Sequence, residues 1–276
     1  MFTTNTDRLR SELERRMVEG SLEPGTAIDE SRLGHYYDVS RTPVREALLQ
    51  LAAEGFVRIM PRSGIYVVQM SAAELAELVE LLIHNEAYCV ALACERMAPA
   101  TIKRLGLMRR VGEQALKDGD LKEFSRFVLA IHEMIYEGAA NRVLKAQILQ
   151  LRKRLVPYRS QGTFTPEQWL EMAWSSYSTI IQALADRNAT DAQHQLAAFV
   201  TQETRPFLDM ALLDPEHLYF KTDVRAAESS VAFDMETLFV LGVPVAPRKS
   251  DTDLSRKPGA QPVGNSLPAA AGAVPA

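Results

Sequence analysis

The chain has 276 residues, of which 47% are hydrophobic and 24% charged, so it can bury a sizeable core and is long enough for two domains. Its formal net charge of −4 argues against a nonspecific nucleic-acid binder, although local charge could still serve a specific one. We find no apolar run near the roughly 18 residues of a membrane span and no signal-peptide pattern at the N-terminus, and therefore expect a cytoplasmic protein.

The N-terminal part begins with a pattern of short helices. Apolar residues at helical spacing predict a first amphipathic helix through Leu9, Leu13 and Met17. A second short helix is predicted over 30–37, and Asp38 follows it at a turn where a left-handed backbone is expected.

The third helix has two candidate starts. Thr42 could be the N-cap, with Pro43 in the first helical position, or Ser40 could cap the helix earlier. In either case Arg41 and Arg45 lie at the N-terminal end, which is the end of a recognition helix that touches base edges.

A small β-hairpin follows this helix, with strands predicted over 56–60 and 65–68 around a turn at 61–64. The region from 31 to 70 contains no lysine, so arginine, whose planar fork suits bidentate contact with guanine and phosphate, supplies all of its Lys/Arg positive charge. These residues are Arg32, Arg41, Arg45, Arg58 and Arg62.

Several fixed spacings in this region carry a family resemblance. The runs are Leu22-x-Pro24-Gly25, Val39-Ser-Arg-Thr-Pro-Val-Arg-Glu-Ala-Leu48, Leu51-x-x-Glu54-Gly55 and Pro61-Arg62-x-Gly64. Together they closely resemble the winged helix-turn-helix of the GntR family of bacterial transcription regulators. The chain departs from the family at Asp38, where Gly is usual, and at Ser31.

The resemblance implies double-stranded DNA as the partner. We expect Arg41 and Arg45 to read bases, and the hydroxyls of Ser40 and Thr42 to position phosphates. The turn of the hairpin could contact the minor groove or phosphate, or be an ordinary turn. The predicted DNA-binding residues are Arg32, Ser40, Arg41, Thr42, Arg45, Arg62, Ser63 and Gly64.

From Ser71 onward the sequence is almost entirely helical in pattern. Ser71 and Glu74 form a capping-box signature at the start. Helices are predicted near 71–97, 101–117, 120–139, 141–160, 166–187 and 189–212. The predicted fold class is mainly α: an N-terminal winged helix-turn-helix with a small β-hairpin wing, then an all-α antiparallel bundle of six or seven helices.

Four segments follow from this organisation. Residues 1–70 are the predicted DNA-binding domain and 71–213 the helical effector-binding and dimerisation domain. Residues 214–247 form an extension of uncertain role with a candidate short helix over 235–245. The last segment, 248–276, is rich in Pro, Ala, Gly and Ser and is predicted to be a disordered tail.

The helical segment resembles the FadR or FCD effector domain. The residues that carry this resemblance are Glu86, His132, Asn141, Ala183 and Leu184. Many members of that subgroup bind a divalent metal through one Asp and three His.

Position by position, the four metal ligands of the subgroup fall here on Val128, His132, Tyr177 and Phe199. A metal needs at least three protein ligands, so the comparison predicts neither a metal nor another cofactor. The arginine that relatives direct at an effector carboxylate falls on Leu82. The candidate effector-binding residues are Leu82, Asn85, Val128, His132, Tyr177 and Phe199, although His132 could equally be an ordinary hydrogen-bonded interior histidine.

Other polar residues receive simpler interpretations. Cys89 and Cys94, five positions apart on a predicted helix, are expected to be buried structural thiols. The run 152–154 (Arg-Lys-Arg) is predicted to be a solvated helix face, and His194 and His217 to be solvated histidines.

The resulting hypothesis is a homodimeric transcription regulator, by family expectation a repressor, that binds a pseudo-palindromic operator. Its bundle would sense a small molecule, without a metal. In an alternative, the bundle has lost sensing and only dimerises. A metalloprotein or enzyme is a remote third hypothesis, because no nucleophile–base set or acid pair stands out.

Overall fold

The computed structural model describes residues 4–18, 20–158 and 166–213. The predicted extension at 214–247, the predicted tail at 248–276 and His217 lie outside the described residues. The elements in chain order are α1 (Asn5–Val18), β1 (Ala27–Ile28), α2 (Glu30–Tyr37), α3 (Arg41–Ala53), β2 (Val57–Met60), β3 (Gly64–Val67), α4 (Ala72–Arg96), α5 (Pro99–Asp118), α6 (Leu121–Gly138), α7 (Arg142–Leu155), a 3₁₀ turn (Val156–Tyr158), α8 (Pro166–Ala185) and α9 (Ala189–Leu213).

The three N-terminal helices enclose a small apolar core. Leu13 of α1 and Val44 and Leu48 of α3 are fully buried, and α1 packs against α3. Asp38 ends α2 with φ 52° and ψ 50°, which confirms the predicted left-handed turn.

The start of α3 decides between the two predicted caps. Ser40 is the N-cap, with an extended backbone at φ −68° and ψ 169°, but its side chain forms no capping hydrogen bond. The interpretation of Thr42 as the cap is therefore wrong. Thr42 lies within the first helical turn, and Pro43 occupies its third position, where a missing N–H still costs no intrahelical hydrogen bond.

The β-hairpin belongs to an antiparallel sheet of three strands in the order β1-β3-β2. Ile59 pairs with Ile65 in the hairpin, and β1 adds Ala27 opposite Tyr66. The sequence did not predict β1, because a strand of two residues is too short to show an alternating pattern.

The described residues beyond 71 contain six α-helices, and this confirms the predicted fold class of a winged helix-turn-helix followed by an all-α bundle. Ser71 and Glu74 form both hydrogen bonds of the predicted capping box. Helix α4 packs against α6, α7 and α9 and buries both Cys89 and Cys94. No helix of the described part is long and apolar enough to cross a membrane.

The predicted solvated face at 152–154 is wrong. Arg152 is fully buried because it follows Ile148 by four residues and precedes Leu155 by three, which places it on the apolar face of α7. Lys153 retains 31% of its side-chain exposure and pairs with Glu14 of α1. The charged run thus joins the bundle interior to the N-terminal domain.

Candidate nucleic-acid interface and bundle interior

The first turn of α3 presents arginine to solvent. Arg41, Thr42 and Arg45 are exposed, whereas Val44, between them, is fully buried and fixes the rotation of the helix. In the part of the chain that the structure describes, neither guanidinium forms an ion pair. Both are available for hydrogen bonds to bases or phosphates.

The turn between β2 and β3 is a second exposed polar surface. Arg62, Ser63 and Gly64 are all exposed, and Arg62 has a positive φ of 64°. The hydroxyl of Tyr66 donates to the carbonyl oxygen of Ser63 at 2.8 Å and so restrains the turn. The other predicted DNA-binding residues are the exposed N-cap Ser40 and the half-buried Arg32 in the first turn of α2.

The candidate effector residues lie in the bundle core. Leu82, Val128, His132, Tyr177 and Phe199 are each at most 2% exposed. Asn85 is half-buried, and within the described residues its Nδ2 atom has no hydrogen-bond partner.

Three of these residues, one each from α6, α8 and α9, are in direct contact. The ring centroids of Tyr177 and Phe199 are 4.9 Å apart and those of His132 and Tyr177 are 5.5 Å apart. Three of the four positions that the FCD resemblance aligns with metal ligands thus hold aromatic rings in contact with one another.

Both ring nitrogens of His132 are engaged by tyrosine hydroxyls. Nδ1 lies 3.0 Å from the hydroxyl of Tyr136, and Nε2 is hydrogen-bonded to the hydroxyl of Tyr177. Tyr136 gives its single proton to Glu86 Oε1 at 2.8 Å, so it must accept from His132. For a neutral imidazole, this assigns the proton to Nδ1 and makes Nε2 the acceptor from Tyr177.

This arrangement does not fit a metal ion. A metal would need the Nε2 lone pair that Tyr177 occupies, and Val128 and Phe199 offer no ligand atom. Among the described residues there is also no cluster of three or more His, Cys, Asp or Glu side chains that could hold a metal.

The hydrogen-bonded series continues to a buried ion pair that the sequence did not predict. Arg152 Nε donates to Glu86 Oε1 at 2.6 Å with both side chains fully buried, and Glu203 lies 3.9 Å from Arg152 Nη1. Burial opposes the charge of Arg152, but the attraction of Glu86, followed by Tyr136 and Glu203, outweighs it and raises the pKa of Arg152 well above its ordinary value. Burial also raises the pKa of Tyr136 far above its ordinary value. We call the series Tyr177, His132, Tyr136, Glu86 and Arg152 the buried polar chain.

The sequence contained one signal for this ion pair. Arg152 lies at the inward spacing of Ile148 and Leu155, and a buried arginine requires an acidic partner. Which acid serves as the partner could not be read from the sequence, because Glu86 is 66 residues away.

A helix-turn-helix with arginines exposed at the start of its second helix, a β-hairpin wing and an all-α bundle together define a DNA-binding transcription regulator with a separate helical domain. The chain belongs to the GntR family: the model for bacterial regulatory proteins of that family matches residues 5–67, and the FCD domain model matches residues 71–202. The family and its relatives are transcription regulators, not enzymes.

Relatives of known name support this assignment. The HTH-type transcriptional regulator McbR of Escherichia coli is 25% identical over 199 residues, which are 71% of this chain and 90% of McbR. The gluconate operon transcriptional repressor of Bacillus subtilis is 30% identical over 46% of this chain and 52% of its own length. An HTH-type regulator of Agrobacterium vitis is 31% identical over 42% of this chain and 70% of its own length.

A solved structure shares the fold. The structure of E. coli McbR/YncC matches with a TM-score of 0.59 at 24% sequence identity, covering 76% of this chain and 99% of that one.

Proposed function

We propose that this protein is a homodimeric regulator that binds a pseudo-palindromic operator and represses transcription, and that its bundle senses a small metabolite without using a metal. The observation that carries the DNA-binding part is the pair Arg41 and Arg45, exposed at the N-terminal end of α3. A helix held with this end outward can enter the major groove and bring both guanidiniums to base edges.

We propose a division of labour among the exposed residues. Arg41 and Arg45 would read bases, while Ser40 and Thr42 at the helix start would hold the phosphate backbone. Arg62, Ser63 and Gly64 would approach the minor groove or an adjacent phosphate, and Arg32 would support the contact from α2. The restrained wing turn at Ser63 supports a defined geometry for this contact.

The dimer follows from the way one recognition helix reads DNA. A single α3 covers one half-site, and specific operators of this kind consist of two half-sites related by a two-fold axis. On the bundle, Leu81 and Tyr88 are 50% and 49% exposed and lie seven residues apart on one stripe of α4. We propose that a second copy of this chain covers that stripe.

Repression is supported by the relative that is named as the repressor of a gluconate operon. Sensing is supported by the FCD match, whose subgroup binds effectors in this bundle. Leu82, Val128 and Phe199 make the position apolar, so an apolar or acyl-bearing effector fits it better than a small carboxylate. Such a ligand would have to displace Tyr177 from His132, and Asn85 would be the nearest candidate polar contact.

A second candidate function rests on the contact between His132 and Tyr177. Because His132 and Tyr177 already satisfy each other and pack against Phe199, the bundle could have no effector and serve only to dimerise. A thermal-shift screen of metabolites separates the two, since a ligand that binds the folded state raises the unfolding midpoint. One metabolite that raises the midpoint of wild type, and not of Tyr177→Phe, would exclude the effector-independent function.

The DNA-binding part is tested by selection of genomic fragments with the purified protein, followed by fluorescence anisotropy on the selected site. Arg45→Ala should weaken binding about 5- to 150-fold per half-site, the equivalent of roughly 1–3 kcal/mol for a bidentate contact. Arg109→Ala, an exposed arginine of α5, is the matched control and should bind like wild type. Failure of wild type to enrich any fragment would refute the proposed function.

A further inference from the structure

Helix α7 has a buried side in the bundle interior and an outer side that holds the DNA-binding domain. We propose that α7 transmits the state of the buried polar chain to the recognition helix, and that Arg152, Lys153 and Tyr158 are positioning residues for operator binding. This inference rests on the proposed function, because it concerns how the bundle sets the geometry of DNA binding.

On the buried side of α7, Arg152 connects the helix to the buried polar chain. Its guanidinium is held by Glu86 at 2.6 Å, and Glu86 also accepts from Tyr136, which in turn holds His132. All four side chains are at most 2% exposed. A change at the His132 end would therefore reach Arg152 through hydrogen bonds that water cannot replace.

The outer end contacts the last turn of the recognition helix. Gln150 Nε2 donates to the carbonyl oxygen of Glu54, the C-cap of α3, at 3.2 Å. The guanidinium of Arg154 lies against the next residue, Gly55, where an added Cβ would be 3.1 Å from Arg154 Nε. Because Gly55 has a φ of +81°, its lack of a side chain serves both the turn and this close approach.

Two further contacts tie α7, and the 3₁₀ turn that continues it, to α1 and to the interdomain linker. Lys153 Nζ donates to Glu14 Oε1 of α1 at 2.5 Å. The hydroxyl of Tyr158 accepts from the backbone N–H of Met70 at 2.9 Å and donates to the carbonyl oxygen of Val68 at 3.1 Å. Burial raises the pKa of Tyr158 to about 12, so the hydroxyl keeps the proton that this second bond requires.

The spacing makes these contacts mechanically dependent on one another. Arg152, Lys153 and Arg154 are consecutive, so they lie within about 3 Å along the helix axis at 1.5 Å per residue. A helix moves as a rigid element over such a distance, and a buried polar network has discrete arrangements because half-made hydrogen bonds are costly. A second arrangement of the buried polar chain would thus shift the end of α3 as well.

The first test measures hydrogen–deuterium exchange of the Met70 amide by mass spectrometry on the full chain. Tyr136→Phe removes only the hydroxyl between His132 and Glu86, and the control Thr201→Val removes only an exposed hydroxyl of α9 that bonds the Ala197 carbonyl of its own helix. Exchange at Met70 should rise at least about fivefold in Tyr136→Phe and stay at the wild-type rate in Thr201→Val. Equal exchange in the two variants, or a uniform rise across the bundle, would overturn the inference.

A double-mutant comparison separates transmission from an unrelated loosening. Tyr158→Phe removes the Met70 contact directly and should raise exchange there by itself. If both changes act through one connection, Tyr136→Phe adds nothing further in the Tyr158→Phe background. If the rise in exchange in the double variant equals the product of the two single rises, the two substitutions act independently, and the proposal is contradicted.

The last measurement asks whether the contacts of α7 affect affinity for the operator. Tyr136→Phe and Lys153→Ala should each change affinity for the selected operator at least about threefold, and Lys153→Arg, which keeps the charge, should restore it. Wild type that selects no DNA would sink the proposed function whatever the exchange data show. Wild type that binds, with Tyr136→Phe binding equally well, would sink the positioning role alone.

Discussion

Replacing Arg152 by methionine would remove the cation around which the bundle interior is organised. Glu86 is fully buried, and its Oε1 atom receives Arg152 at 2.6 Å and Tyr136 at 2.8 Å. Its other oxygen, Oε2, has no hydrogen-bond partner among the described residues. The substitution therefore leaves a carboxylate in the core with one hydroxyl and no counter-ion, a change that typically costs about 3–5 kcal/mol.

The magnitude can be bounded from proton uptake. A buried carboxylate without a counter-ion can take up a proton, and for an ordinary glutamic acid with a pKa of about 4.3 this costs about 1.4 kcal/mol per pH unit. The cost is roughly 4 kcal/mol at pH 7 and about 1 kcal/mol at pH 5. The variant then binds a proton more readily when folded than when unfolded. Its loss in free energy of unfolding relative to wild type must therefore grow as pH rises and shrink as pH falls.

The assay is urea unfolding followed by circular dichroism at pH 7 and pH 5, at one protein concentration because a dimer couples stability to concentration. Lys153→Met is the matched control, since its ion pair with Glu14 is partly solvated and should contribute at most about 1 kcal/mol. Arg152→Met combined with Glu86→Gln should lose the pH dependence. An Arg152→Met deficit no larger than that of Lys153→Met at pH 7 would refute the reasoning.

Three further predictions concern the cap, the thiol and the helix turn. Ser71→Ala should destabilise the protein by about 1 kcal/mol in urea titrations at pH 7, because Ser71 caps α4. Hydrogen bonds from the Ser71 backbone and from its hydroxyl lower the pKa of Glu74, so the stability they contribute is present above the ordinary value of 4.5 and lost in acid. Ser71→Ala removes only the hydroxyl bond, and a Ser71→Ala deficit that is unchanged at pH 3 would contradict this contribution. In the native protein, Cys89 should react with iodoacetamide roughly a thousandfold more slowly than an ordinary thiol, because burial raises its pKa from 9.0 to about 12. In denaturant it should react at the ordinary rate. Fast labelling of this residue in the native protein would disprove its burial. Asp38→Gly should leave the unfolding midpoint unchanged or stabilise by up to about 1 kcal/mol, whereas Asp38→Val should destabilise, because φ is 52° there.

The DNA-binding half was largely predictable because its signals are local. Asp38, Ser40 and the spacing of Val44, Leu48 and Leu51 each act within one or two turns, so the sequence shows the helices, the turn and the outward end of α3. The choice between Ser40 and Thr42 as cap was left open, since both hydroxyl residues satisfy the same preference. Which of the exposed residues touch DNA is still a prediction.

The bundle interior was predictable in part. The comparison with the ligand positions of the FCD subgroup grouped His132, Tyr177 and Phe199 together, and the structure places these rings in contact. Neither Tyr136 nor the pairing of Glu86 with Arg152 could be found in this way, because hydrogen bonds across 50 and 66 residues leave no periodic trace in a single sequence. The three consecutive positive charges at 152–154 suggested a solvated face. The spacing of Arg152 from the apolar residues of α7 instead places its side chain in the interior.

The sequence by itself determined the order of the helices and of the two hairpin strands, and the exposed arginines at the start of α3, because propensity, capping and periodicity operate over a few residues. Its motifs indicated the class of protein through their resemblance to a family. Only the tertiary structure decided that His132 and Tyr177 belong to a buried polar chain, and that this series of side chains ends at a helix holding the DNA-binding domain. The physical reason is that burying charge is tolerated only where partners from distant segments converge, and folding alone brings Glu86, Tyr136 and Arg152 together.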